Sequence, residues 1–337
     1  MNVGWGVVGV LAGGLLNGSF VAPMKRMRDW RWENSWFLYS VTGLLVIPWV
    51  VAYATVPHLD EVFRSSSTTA LLEVVLFGLG WGVGSVLFGL GVNRLGLAVG
   101  YGIILGLIAP IGTFLPLFVL HRERLWTAQG EALMLGTVVV IVGITFLAVA
   151  GRRRERESTT LAPMVKSGFL AGLIICIFAG IFSPMLNFSF VFGQELQTRA
   201  LSAGAAANMA TNAIWSLTLA AGFLVNAGYS VWLLQKNHTW HLFAKVGGAG
   251  YWINGTLMGL ICFGSFLVYG MGATALGPLG GIVGWPLFMS MSLITSNALG
   301  ALSGEWAGAR RRSYGYSLAG IALLIAAIVI ISRGGNS

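Results

Sequence analysis

Along the 337-residue chain, stretches of about twenty mostly apolar residues alternate with short polar breaks. A helix of about twenty residues rises some 30 Å, enough to cross the hydrocarbon core of a bilayer. On that template the pattern predicts ten spanning helices, near residues 3–23, 35–56, 71–92, 96–120, 132–150, 167–191, 205–234, 250–271, 277–302 and 315–332. The seventh is too long to span straight, and its end is expected to lie along the interface around Trp232 to Phe243. The predicted fold class is an all-α integral membrane protein.

The pattern also repeats. A gapless shift of 181 residues superposes Leu76, Gly78, Leu79, Gly89, Gly91, Leu95, Gly96 and Gly100 on Leu257, Gly259, Leu260, Gly270, Gly272, Leu276, Gly277 and Gly281. A looser echo pairs Gly9-Val-Leu-Ala-Gly13 with Gly168-Phe-Leu-Ala-Gly172, each followed by a Pro-Met pair at Pro23-Met24 and Pro184-Met185. Repeats of this length govern the fold. They divide the chain into a first five-helix repeat over 1–150, a basic cytoplasmic linker over 151–166 and a second five-helix repeat over 167–337. An odd number of helices per repeat makes the two insert in opposite orientations. That is an architecture of secondary transporters, with the substrate site at the repeat interface near the midplane.

Composition removes the competing classes. Apolar residues make up 56% of the chain and charged residues 9%, against about 25% charged in a soluble domain. The +9 formal charge sits in short runs at the ends of apolar stretches. Such runs read as orientation signals and lipid contacts, and nucleic acid is not an expected partner. Cys176 and Cys262 lie inside apolar stretches, so neither a disulfide framework nor a metal site is expected. Lys25 and Arg26 follow the first apolar run, which favours a retained helix over a cleaved signal. Loops after odd-numbered helices hold fifteen of the 20 Lys and Arg residues. By the positive-inside rule those loops are cytoplasmic and both termini external.

Glycine runs such as Gly78-Leu-Gly80-Trp-Gly82-Val-Gly84 lack a following GKS or GKT, so they read as helix-packing surfaces rather than phosphate loops. Polar groups at membrane depth are costly and become candidate functional groups. Asn17, Ser85, Asn187, Asn212 and Ser265 are all neutral, as are Asn208 and Asn254. A Ser can instead bond its own backbone, and an Asn can instead join two helices. Trp81, Trp215, Tyr269 and Trp285 lie at comparable depth, where they suit either helix packing or the apolar face of a sugar ring. Trp30, Trp32 and Trp36 stand beside basic residues and suit an interfacial belt. No carboxylate falls at a helix centre. Glu33, Glu73 and Glu305 lie near helix ends. His58, His121, His238 and His241 read as interfacial residues, and no cofactor or catalytic constellation is visible.

Ser19-Phe-Val-Ala-Pro-Met-Lys25 running into Trp30-Arg-Trp-Glu33 resembles the first loop of the L-rhamnose–proton symporter family of the drug/metabolite transporter superfamily. So do Leu76-Phe-Gly-Leu-Gly-Trp-Gly-Val-Gly84 with Arg94-Leu-Gly96, and Glu305-Trp306 with Arg310-Arg311. The resemblance implies ten helices in two inverted halves, a central sugar pocket and uptake driven by protons across the inner membrane. It departs from the family pattern at Ser265, at Phe288 and around Asn208 to Trp215.

The resemblance thus implies an inner-membrane monosaccharide transporter, for L-rhamnose or a related sugar, working by alternating access. Trp81, Trp215, Tyr269 and Trp285 would stack on the sugar, and Asn17, Ser85, Asn187, Asn212 and Ser265 would bond its hydroxyls. Lys25 corresponds to the family's first-loop lysine and would help close the cytoplasmic gate. Glu33, Glu73 and Glu305 would be the proton acceptors. The alternatives are an uncoupled or differently coupled carrier of another metabolite and, from another class, a non-transporting signalling or assembly protein. Monomer and homodimer both remain open.

Overall fold

The computed structural model describes residues 3–95, 97–157, 169–245, 248–304, 306 and 309–334. Among them, ten helical segments are long and apolar enough to cross a membrane: Val3–Arg26, Trp32–Thr55, Thr68–Leu95, Ile103–Leu120, Ala128–Arg154, Leu170–Ser202, Asn212–Lys236, Gly248–Ala275, Gly280–Leu302 and Arg311–Arg333. In chain order these are the first to tenth spans. Each coincides with a predicted stretch, and the described residues contain no strand. In hydrocarbon every backbone N–H and C=O must be satisfied internally, which a helix achieves within one segment. The chain is a multi-pass membrane protein.

The departures have local causes. The seventh span begins at Asn212 rather than 205, because residues 203–211 form turns, with Gly204 at φ +95°. It ends at Lys236; after His238 in the left-handed region, the short helix Leu242–Lys245 takes up the expected interfacial stretch. The fifth span continues as helix to Glu157, so Arg152, Arg153 and Arg154 extend that helix. The second span widens into a π-helical stretch over Ser40–Val46 just before Pro48, which has no N–H to offer the preceding turn. Both Pro-Met pairs mark breaks. Pro23 lies in the 3₁₀ turn Ala22–Arg26, and Pro184 separates helix Phe169–Phe182 from helix Met185–Phe192. The third span and the eighth, which carry the 181-residue echo, are both 28-residue helices. Gly96 and Gly168 of the two echoes lie outside the described residues.

The chain forms two compact units, one of Met1–Val83 with Met185–Gly281 and one of Gly84–Pro184 with Ile282–Ser337. In the first unit, the first and eighth spans meet backbone to backbone. A Cβ on Gly9 would lie 2.9 Å from Gly272 Cα. Small residues allow such approach, and between membrane helices van der Waals contact replaces the hydrophobic drive available in water. The glycine run in the third span works likewise: a Cβ on Gly82 would lie 3.0 Å from the Gly222 carbonyl. The helix Leu59–Ser65 folds under this unit, burying Leu59 and Val62 with Val74, Leu196 and Ile214. Glu195 accepts hydrogen bonds from Ser67 N–H (2.8 Å) and Ser67 Oγ (2.6 Å) just before the third span begins.

In the second unit the fifth span packs along the tenth, with Gly143 against Gly320 and Leu324. Glu157 closes that pair, accepting from Arg310 N–H (2.8 Å) and Ser313 Oγ (2.9 Å) at the start of the tenth span.

Candidate functional site

Pro184 interrupts the sixth span, because proline cannot continue the helical hydrogen-bond ladder. The eight-residue helix Met185–Phe192 therefore restarts, and Asn187 and Ser189 are fully buried on it. Tyr269 Oη donates to Asn187 Oδ1 at 2.7 Å, and Asn187 Nδ2 donates to the Gly281 carbonyl at 3.0 Å. A buried amide without partners would cost about 1–3 kcal/mol, so this network fixes the side chain of Asn187.

An aromatic cluster surrounds the pair within the first unit. Phe190 stacks on Trp215 with ring centroids 5.5 Å apart and planes 15° apart. Tyr269 lies 5.6 Å from Phe190 and 6.3 Å from Trp215. Phe266 contacts Trp215 at 5.9 Å and receives half-buried Trp81 edge-on at 5.9 Å. Gly222 makes room for Trp81, since a Cβ there would meet its ring at 2.6 Å. Asn212 is buried at the start of the seventh span and donates to Thr55 Oγ1 at 2.9 Å. Asn187, Trp215, Tyr269 and Trp81 thus share one connected set of contacts. Its rings are apolar, and the hydrogen-bonding groups of Asn187 and Tyr269 are neutral.

Ser265 is buried and donates to the carbonyl of Cys262 (2.6 Å), the backbone bond open to any membrane serine. Asn17 is half-buried on the first span. Ser85 and Trp285 belong to the second unit. There Ser85 is half-buried, and Trp285 donates to the Ile108 carbonyl at 3.2 Å while stacking on Phe288 at 5.9 Å.

Among the carboxylates, Glu33 is distinct. It is only 5% exposed, and one oxygen accepts from Asn237 Nδ2 (2.9 Å) and Thr239 Oγ1 (3.0 Å). No Lys or Arg among the described residues pairs with it. Glu73 is half-buried, Lys25 is exposed on the Ala22–Arg26 turn, and Glu305 lies outside the described residues. The expected tryptophan belt is partly internal. Trp30 is 5% exposed, donates to the Leu242 carbonyl and meets Phe243, Tyr251 and Trp252 edge-on. Trp36 donates to Asn226 Oδ1 at 3.0 Å.

Sequence reasoning missed Phe190, Phe266, Asn237 and Thr239. Phe190 carried a signal, as it comes three residues after Asn187 on a restarted helix. Asn237 and Thr239 carried none, because contact with Glu33 crosses some 200 residues of chain.

The family model for the L-rhamnose-proton symport protein (RhaT) matches residues 1–337. The chain belongs to that family. Similar proteins include the L-rhamnose-proton symporter of Cronobacter sakazakii, 28% identical over 341 residues, or 99% of this chain and 97% of the relative. Those of Klebsiella pneumoniae and Escherichia coli are each 26% identical over the same shares of both chains. A membrane chain of this family with ten apolar helices is a transporter.

Proposed function

We propose that this chain carries L-rhamnose inward together with a proton, by alternating access between two inverted five-helix repeats. The whole-length family match is the observation that carries this reading, and the names of the relatives supply the sugar and the ion. In this reading the basic loops are cytoplasmic and both termini external in the inner membrane. The chain is a carrier and not an enzyme.

Trp81, Tyr269 and Trp285 offer rings to the sugar, and Asn17, Ser85, Asn187, Asn212 and Ser265 offer it hydrogen bonds. Trp215 joins them, although Phe190 stacks on its ring. Glu33 is the leading proton acceptor, ahead of Glu73 and Glu305. It is a buried carboxylate, and one of its oxygens accepts from two neutral donors, Asn237 and Thr239. Lys25 serves the cytoplasmic gate.

The test is uptake of labelled L-rhamnose into proteoliposomes, with and without an inward proton gradient. Accumulation that requires the gradient supports the reading. Uptake indifferent to the gradient removes the coupling, and uptake of another sugar in place of L-rhamnose removes the substrate.

A further inference from the structure

Within one turn at the start of the seventh span, three buried polar atoms have no hydrogen-bond partner: Thr211 Oγ1, Asn212 Oδ1 and Trp215 Nε1. All three side chains are 0% exposed. Buried polar atoms are nearly always paired, so three unpaired within five residues single out this turn. Thr211 and Trp215 stand four residues apart and so face the same side of the helix. The Trp215 N–H to Thr211 carbonyl bond of 3.0 Å confirms the turn between them.

They also converge on one point. The position a Cβ would take at residue 270 lies 2.7 Å from Trp215 Nε1 and 2.8 Å from Thr211 Oγ1. Both atoms pack against residue 270 and a Cβ there would overlap them, so only glycine fits. The ring of Trp215 is less accessible, because Phe190 stacks on it and Phe266 and Tyr269 tilt against it. What Trp215 has to offer a ligand is the N–H on its edge.

We propose that Trp215 Nε1 and Thr211 Oγ1, both unpaired beside Gly270, recognise one hydroxyl of the transported sugar. The indole N–H donates to the hydroxyl oxygen, and the hydroxyl donates to Thr211 Oγ1. Asn212 Oδ1 stands in the same turn as an acceptor for a neighbouring hydroxyl. The assignment rests on the sugar-transport reading and gives Trp215 an edge-on role instead of stacking. It also adds Thr211 and Gly270 to the site. A pair of neutral groups that bond a hydroxyl rejects an analogue lacking it, because the buried atoms are then left unpaired.

The experiment uses the full chain in proteoliposomes under an inward proton gradient, with L-rhamnose and its monodeoxy analogues. Trp215→Phe and Thr211→Val should each raise KM for L-rhamnose about tenfold, as expected for one lost hydrogen bond, while Thr211→Ser stays near wild type. One monodeoxy analogue should be disfavoured by wild type to a similar degree, yet suffer no further loss in Trp215→Phe. Gly270→Ala, whose Cβ would overlap both atoms and displace them, should raise KM as well. Size-exclusion profiles identify any variant that fails to fold, and Thr211→Val, which keeps the shape of threonine and removes its hydroxyl, keeps the test independent of Trp215. Folded variants with unchanged KM for every analogue would overturn the subsite and leave sugar transport standing. Absence of L-rhamnose uptake by wild type would instead overturn the functional reading, and the subsite for that sugar with it.

Discussion

Tyr269 donates its hydroxyl to the side-chain carbonyl of Asn187 at 2.7 Å, tying the eighth span to the short helix that restarts after Pro184. Tyr269→Phe removes that donor from a fully buried amide oxygen and should cost about 1–3 kcal/mol. Adding Asn187→Leu removes both partners, so the double variant should lose less than the sum of the singles. A thermal-unfolding double-mutant cycle in detergent measures the difference, expected at about 0.5–3 kcal/mol. Strict additivity would mean that the bond contributes nothing.

Glu33 gives a prediction about coupling. Glu33→Gln keeps the shape and can still bond Thr239 and Asn237, but it cannot take up a proton. Accumulation of L-rhamnose against its gradient should vanish, while exchange of internal for external L-rhamnose continues. The same substitution at Glu73, which is half-buried, should leave accumulation near wild type. Exchange and accumulation assays on the same vesicles separate the two.

Two glycines should respond in opposite ways. A Cβ at Gly272 would lie 2.5 Å from Val10 N and 2.8 Å from the Gly6 carbonyl, so Gly272→Val must push the first and eighth spans apart. The expected loss is about 1–3 kcal/mol or more. Gly228 has nothing within 4 Å of that position and sits inside the seventh span. Gly228→Ala should stabilise by about 0.5–1 kcal/mol through helix propensity alone. Melting curves of the two variants decide this.

How far each feature was legible in the sequence depends on the physical constraint that sets it. All ten spans could be read because bilayer thickness fixes helix length and the apolar runs report it directly. The glycine runs could be read as packing surfaces because nothing in them could hold a phosphate. The candidate site could be sketched from its residue types but not from its pairings. Asn187, Tyr269 and Trp215 stood out as polar or aromatic groups at depth, yet their contacts join segments 54 or more residues apart. Ser265 stood out equally and spends its hydroxyl on its own helix. Trp30 looked interfacial beside its basic neighbours, and only the packing of Phe243, Tyr251 and Trp252 turns it inward.

Glu157 provides a pH dependence. The Arg310 N–H holds its carboxyl below the usual carboxylate value, helped by Ser313 Oγ and by the charges of Arg310 and Arg153, against a smaller opposing effect of partial desolvation. The folded value therefore lies below the unfolded one. The contact contributes above the unfolded value and is lost as pH falls through the folded one. Hydrogen exchange at the Arg310 amide should be insensitive to protonation of Glu157 between about pH 6 and 8, and lose protection below about pH 4. Glu157→Ala should show the reduced protection at every pH.

Sugar and proton should move together, and one vesicle experiment reads both at once. The most direct measurement is the lumenal pH of proteoliposomes that hold a pH dye and start with no proton gradient, when L-rhamnose is added outside. Proton symport predicts that the inward sugar gradient draws protons in and the lumen acidifies, and that Glu33→Gln abolishes the change. Entry of L-rhamnose with no change in lumenal pH would contradict the account.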